Sequence, residues 1–244
     1  MTRLRRFFAG ERDCVEDGRI RLYEEFSHIS RVLRMKVGDR LVVCFNDGRD
    51  CECEIEGFER DCALLKILSA SCCVSENDVG ITLFQGLIKG DRMDWCLQKA
   101  VELGADEIRP FVSRNTVASA DEKKIERFNR ITREACKQCG RASLTEVFAA
   151  EDLRALPRFF KDFDLVVLCN ENEKSKTLTR ALDERPFLTR VAVIVGSEGG
   201  FDGDEASFLQ ESGAVSVTLG RRILRAETAG LYALSILNER LNNI

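Results

Sequence analysis

Gly196, Gly199 and Gly200 follow directly on the apolar run of "RVAVIVGSEGGF" (190–201). A glycine turn leading from a strand into a helix lets backbone approach a ligand closely. At a helix N-terminus the usual ligand is a phosphate. The residues that follow argue against one. Asp202, Asp204 and Glu205 open the coming helix, where they suit the positive end of its dipole and would repel a nucleotide. Asp202 and Glu205 have the spacing of a capping box. The chain has no G-x-G-x-x-G after its first strand and no G-K-[ST]. The turn therefore predicts a ligand without phosphate, although on pattern alone a purely structural tight turn fits equally well.

The arrangement repeats at "VSVTLGRRILRAETAG" (215–230): a strand, Gly220, then a turn into a helix. In open α/β sheets ligands lie beyond the carboxyl ends of strands, so residues 195–201 and 219–225 are expected to form one pocket. Arg221, Arg222 and Arg225 stand on its lip with no acid between them. A lone arginine there is most often an ion-pair partner; three suit a polyanion.

Two different rhythms position these turns. "RIRLY" (19–23), "RLVVCF" (40–45), "DCECEIEGF" (50–58) and "CALLKIL" (62–68) read as strands, with "NDG" (46–48) as a hairpin turn. "EFSHISRVLRMKVGD" (25–39) reads as a short helix capped by Ser27, with Gly38 near its end. A small β-barrel over residues 1–72 is the expectation, with a polar linker over 69–80. From 81 onward strand and helix alternate: strands at 81–88, 107–113, 164–170, 190–196 and 215–220, and helices at 91–104 and 121–141. That alternation predicts an α/β unit with a largely parallel sheet, over 73–244.

Composition narrows the partners. The chain of 244 residues carries a formal charge of −4 and a pI of about 5.4, which excludes a globally basic nucleic-acid binder. Local basic stretches remain: residues 1–40 hold ten Lys/Arg against seven Asp/Glu, and residues 121–141 hold seven against four. No run of 18 apolar residues predicts a membrane span, and the first residues lack the apolar stretch of a signal peptide. Eleven cysteines, an odd number, read as reduced thiols in a cytoplasm. The C-x-x-C pair Cys136 and Cys139 falls within a helical pattern and lacks the second pair of a zinc ribbon. His28 is the single histidine, which rules out a multi-histidine metal site; no metal is expected.

Taken together, "GSEGGF" and "LGRRILRAETA" resemble the C-terminal signature of the RsmE family, SPOUT-class ribosomal RNA methyltransferases. "RRFF" (5–8) and "HISRVLRMKVGD" (28–39) resemble that family's PUA-like RNA-binding barrel. "KGDRMDWCLQKAVELGADEIRPF" (89–111) and "REACKQCGR" (133–141) resemble its two central blocks. Ser197 stands where the family commonly has proline, Ala226 where it commonly has threonine, and the proline that often follows "QCGR" is missing. Ala226 forgoes a hydroxyl that would cap the last helix, worth ~1 kcal/mol.

The resemblance implies a fold, a cofactor and partners. The fold is α/β, a PUA-like β-barrel followed by a SPOUT domain with a parallel sheet and a C-terminal trefoil knot. The cofactor is S-adenosylmethionine, on Val195, Gly196, Glu198, Gly199, Gly200, Leu219, Gly220, Ile223 and Leu224. RNA would meet Arg5, Arg6, His28, Arg31, Arg34 and Lys36, together with Arg141 and Arg221. The implied partner is small-subunit ribosomal RNA within its subunit, and the implied assembly a homodimer with the pocket near its interface. The implied reaction is methylation of uridine N3, a poor nucleophile until its proton leaves. Arg225, then Arg222, are the candidates to stabilise the uridinate; Glu198 and Glu227 are placed to act as base. Two alternatives stay open: another RNA atom such as a ribose 2′-hydroxyl, and a non-catalytic RNA-binding assembly protein.

Overall fold

Alternating apolar residues in the first third of the chain close one face of a six-stranded sheet. The computed structural model describes residues 4–242. They divide into two compact units, the first running to Glu76 and taking in Cys136–Leu144, the second comprising Asn77–Ala135 and the chain from Thr145. The sequence pattern puts the division at 72/73 and has no means of assigning 136–144 to the first unit.

The strands of the first unit are β1 (Arg5–Phe8), β2 (Cys14–Glu16), β3 (Arg19–Leu22), β4 (Arg40–Cys44), β5 (Arg49–Phe58) and β6 (Ala63–Cys72). They are hydrogen-bonded in the order β1-β4-β5-β6-β3-β2. Leu41 and Val43, Cys53 and Ile55, and Ala63 and Leu65 share the buried face at the two-residue period of a strand. The "NDG" turn is a hairpin: Asn46 and Gly48 have φ of 59° and 75°, and β4 pairs antiparallel with β5.

Two expectations fail here. The linker expected over 69–80 is in part strand, because β6 continues to Cys72 opposite Arg49. The helix expected over 25–39 is a single wide turn, His28–Val32, and the Ser27 side chain makes no capping bond. The chain leaves the helical path at Arg34, with φ of 51°. The Asp39 carboxylate accepts from the Lys36 N–H at 2.7 Å, a local bond that competes with helix continuation.

The second unit is built on seven strands, all paired in parallel. In chain order the elements are β7 (Gly80–Gly86), α1 (Asp91–Glu102), β8 (Glu107–Val112), α2 (Glu122–Cys139), β9 (Glu146–Val147), β10 (Glu151–Asp152), β11 (Leu165–Cys169), α3 (Leu178–Asp183), β12 (Arg190–Val195), α4 (Gly203–Glu211), β13 (Val215–Val217) and α5 (Ala226–Leu241). The strand order is β10-β8-β7-β12-β11-β13, with β9 on β8. Both faces are covered, as parallel sheets require. Val191, Val193 and Val195 of β12 point into one core with Met93, Leu97 and Leu234; Ala192 and Ile194 point into the other with Leu156, Ala206 and Leu209. Between β10 and β11 the chain takes the tighter three-residue helical form over Leu153–Asp162, where Pro157 lacks an amide hydrogen.

Helix α1 ends at Gly104, as its sequence predicts. Gly104 N–H donates to Val101 O and Ala105 N–H to Ala100 O, at 3.0 and 2.9 Å, the paired bonds of a Schellman end. Gly104 has φ of 88°, and a Cβ there would lie 3.0 Å from Asn77 Oδ1. Gly104→Ala is expected to cost about 1–3 kcal/mol of stability, from strain in the left-handed region. An unchanged urea midpoint would show that the helix end is not so constrained.

Candidate functional site

The parallel sheet brings the carboxyl ends of β12, β11 and β13 to one edge. The glycine turn, the segment after β11 and the arginine turn there enclose a cavity of about 230 Å³. Val195, Gly196, Glu198 and Gly200 line it from one side; Leu219, Gly220, Ile223 and Leu224 line it from the other. The two turns thus share a single pocket.

The close approach of backbone is literal at the glycine turn. A Cβ on Gly86, at the end of β7, would stand 2.4 Å from Ser197 N and 2.6 Å from Gly196 C. Ser197 opens a tight turn in which its carbonyl accepts from Gly200 N–H at 3.0 Å, with Gly200 at φ 64°. Behind the turn lies Gln85, fully buried. Its amide donates to the carbonyls of Gly86 and Gly196 at 3.1 and 3.3 Å. Gly199 does not line the cavity as expected. Its missing Cβ makes room for Asn115, whose Cβ would be 2.6 Å away, and its carbonyl accepts from Asn115 Nδ2 at 3.2 Å.

Asp202 and Glu205 at the start of α4 are structural. Asp202 accepts from Glu205 N–H at 2.8 Å and Glu205 accepts from Asp202 N–H at 3.2 Å, the expected capping box. Asp202 also pairs with Arg114 at 2.6 Å, and Glu205 accepts from Arg114 N–H at 2.8 Å.

Glu198 is held in an ion pair with Arg92 at 2.5 Å and accepts from Lys89 N–H at 3.0 Å. Burial works against its charge, but the amide bonds and the nearby cations hold its carboxyl below the usual range. A general base needs a pKa near the working pH, so the geometry weakens Glu198 in that role. Glu227, in the first turn of α5, is buried on the cavity wall. Arg221, Arg222 and Arg225 are exposed and form no ion pair among the described residues. Arg225 immediately precedes α5, and its carbonyl accepts from Ala229 N–H at 2.8 Å.

Sequence reasoning missed the wall contributed by β11 and the segment after it: Cys169, Asn170, Glu171 and Lys174. Burial pushes the Cys169 thiol up to about 12. It also missed Arg92 and Gln85. Gln85 carried a signal, being a polar residue at a position where β7 alternation calls for a core side chain.

In the first unit the expected RNA contacts separate. Arg5, Arg31, Arg34 and Lys36 are exposed and form no ion pair among the described residues. Arg6 is not available. It pairs with Asp50 through two bonds, one of 2.7 Å, with its side chain only 10% exposed. Burial opposes its charge, but Asp50 raises its pKa further above the usual value. Arg141 is not available either, being buried against Glu76 at 3.1 Å. His28 lies 3.3 Å from Glu25 and edge-on to Phe7.

Comparison with known proteins bears on this arrangement. Residues 75–238 match the family model of the RNA methyltransferase domain, and residues 24–68 match that of the RNA methyltransferase PUA domain. The chain is 32% identical over 223 residues to the ribosomal RNA small subunit methyltransferase E of Bacillus subtilis, covering 88% of this chain and 87% of the relative. A crystal structure of a ribosomal RNA small subunit methyltransferase E from Neisseria gonorrhoeae, bound to S-adenosyl methionine, superposes with a TM-score of 0.87 at 28% identity, covering 99% of this chain and 100% of the other. A Legionella pneumophila chain solved with SAM bound gives a TM-score of 0.83 at 30% identity, covering 98% of each.

Because backbone surrounds the position of Gly86, a methyl group there has nothing flexible to displace. Gly86→Ala is expected to shift the glycine turn and to cost about 1–3 kcal/mol, the scale of an overpacked site. Thermal melting checks it, and a parental melting temperature would mean that the turn yields freely.

Proposed function

The chain belongs to the ribosomal RNA small subunit methyltransferase E family, and we propose that it methylates N3 of a uridine in small-subunit ribosomal RNA, with S-adenosylmethionine as donor. The observation that carries this reading is the cavity that the glycine turn and the arginine turn share.

The residues fit that cofactor. Gly86, Gly196 and Gly200 allow backbone to come close, and Leu219, Ile223 and Leu224 offer apolar surface. The buried carboxylate of Glu227 suits a ligand that carries positive charge. When bound, the cofactor supplies an electrophilic methyl group on its sulfonium. The chain's own residues must then position N3 and favour the deprotonated base. Positioning is worth several kcal/mol. Arg225, unpaired at the start of α5, is proposed to donate to a uracil oxygen as negative charge develops, with Arg222 beside it. Glu198 orients Arg92 on the rim. The target base must leave its stack to enter, as for other base-modifying enzymes.

The first unit is proposed as the RNA-binding domain, through Arg5, Arg31, Arg34 and Lys36, with Arg221 meeting RNA at the pocket lip. We further propose that the chain works in the cytoplasm as a homodimer. Trp95 on α1 and Tyr232 on α5 are 46% and 47% exposed on two helices that touch, which supports pairing of two copies there. No helix is long and apolar enough to cross a membrane among the described residues. The trefoil knot is part of the same proposal. β13 lies on the far side of β11 from β12, and α5 then returns to pack on α1, β7 and β12.

The direct test incubates the protein with labelled S-adenosylmethionine and small subunits from a strain lacking it, then identifies the modified nucleoside. N3-methyluridine is expected. A ribose-methylated nucleoside would move the reaction to another atom, and no incorporation would leave an RNA-binding protein.

Arg225→Ala should lower turnover by about 2.7–4 kcal/mol of transition-state stabilisation, the scale of one missing oxyanion donor. Cofactor affinity and melting temperature should stay unchanged, since Arg225 has no ion-pair partner to lose. Arg225→Lys should recover only part, because an ammonium lacks the guanidinium fork. Near-normal turnover of Arg225→Ala would pass the role to Arg222.

Neutralising Arg31 and Arg34 together should weaken subunit binding and flatten its salt dependence. The slope of log affinity against log salt should fall by roughly 0.7–0.9 for each phosphate left without its cation. Cofactor affinity should not move. An unchanged salt slope would put the RNA elsewhere.

A further inference from the structure

Glu227 is the acid that the site leaves without an answer. It lies in the first turn of α5, lines the cavity and is 7% exposed. Its Oε2 has no hydrogen-bond partner among the described residues. A lone buried carboxylate is costly unless a counter-charge meets it, and the helix dipole supplies only part of that charge. The neighbouring Cys96 does not supply the rest. Its thiol donates to Gln85 Oε1 at 3.7 Å, and burial first, then the charge of Glu227, push it up to about 12. Arg92 is engaged by Glu198, and Arg222 and Arg225 stand exposed and unpaired. Lys174 also lines the cavity, but it is exposed and its ammonium donates to the Glu171 carbonyl. The acid therefore sits on the cavity wall without an ion-pair partner among the described residues.

We propose that Glu227 is the counter-charge for the sulfonium of the methyl donor, and that it sets the cavity's preference for the methylated cofactor over the demethylated product. The proposal rests on the cofactor assigned above. A sulfonium has no N–H to donate, so the attraction is Coulombic and does not require Oε2 itself to become accessible. In the transfer, the sulfonium S–C bond breaks as the N3–C bond forms. The electron pair of the broken bond stays on sulfur, and the N3 proton leaves to solvent. Sulfur thereby becomes a neutral thioether. The product keeps its adenosine and amino-acid groups but loses its attraction to Glu227, which favours its exchange for fresh donor.

Calorimetry on the full chain tests this, with S-adenosylmethionine and S-adenosylhomocysteine as paired ligands. They differ in the sulfonium methyl and its charge, and share the ammonium, carboxylate, ribose and adenine. The parent should prefer S-adenosylmethionine. Glu227→Gln should weaken that ligand roughly tenfold or more, the effect of removing one low-dielectric charge, and leave S-adenosylhomocysteine within about twofold. Its melting temperature should not fall, since an uncompensated buried charge is gone. Glu227→Asp keeps the charge and should keep the preference, and it carries the test should the glutamine variant not fold. Equal weakening of both ligands would assign Glu227 to the ammonium or the adenine amine and overturn the proposal. An unchanged ratio would overturn it as well. A parent that binds neither ligand would overturn the cofactor assignment itself, a result distinct from either.

Discussion

Two strand ends, those of β7 and β12, approach so closely that no side chain fits between them. Gly86 faces Ser197 N and Gly196 C at separations that leave no room for a Cβ, and the rest of the site hangs on that approach. Carbonyls forced together away from water need a donor, and the Gln85 amide supplies it to both Gly86 and Gly196. Gln85 in turn limits what packs above it. Gly230 of α5 sits where a Cβ would be 3.0 Å from Gln85 Oε1, so the last helix comes down directly onto this amide. The position of α5 then determines where its first residues, and the arginine turn before them, stand relative to the glycine turn.

The same stretch of chain separates its charges by assigning partners early. Asp202 and Glu205 are committed to the cap of α4 and to Arg114. Glu198 is taken by Arg92. Of the acids at the cavity, the buried Glu227 keeps a carboxylate oxygen without a hydrogen-bond partner among the described residues, and three arginines stand exposed on the lip. The arrangement has an energetic logic. A surface arginine beside an acid gains little from the pair, whereas an unpaired one keeps its donors for an incoming anion.

Local patterns in the sequence were reliable for the strand β12, the cap of α4 and the end of α1. The alternation of "RVAVIV" places Val191, Val193 and Val195 on one face and Ala192 and Ile194 on the other. The spacing of Asp202 and Glu205 became a capping box, and Gly104 ended α1. That both turns share one cavity followed from the rule for parallel strands. What was not legible depends on distant partners. Arg6 and Arg141 look like the exposed Arg5 and Arg34 in sequence, but their acids lie 44 and 65 residues away. The order of the strands sets β11 between β12 and β13, and with it a third wall of the cavity. The short turn at His28–Val32 was misread for a smaller reason: one side-chain bond from Asp39 outweighed the helical periodicity around it.

Cys169 ends β11 on the wall of this cavity, where a competing nucleophile would be harmful. An electrophilic methyl group held beside a thiol invites alkylation of the protein instead of the substrate. Only the thiolate attacks, and burial pushes this thiol up to about 12. Near neutrality Cys169 stays protonated, so the wall is inert toward the reagent the cavity is suited to hold. The burial that raises this thiol comes from the same strand end that forms the cavity wall.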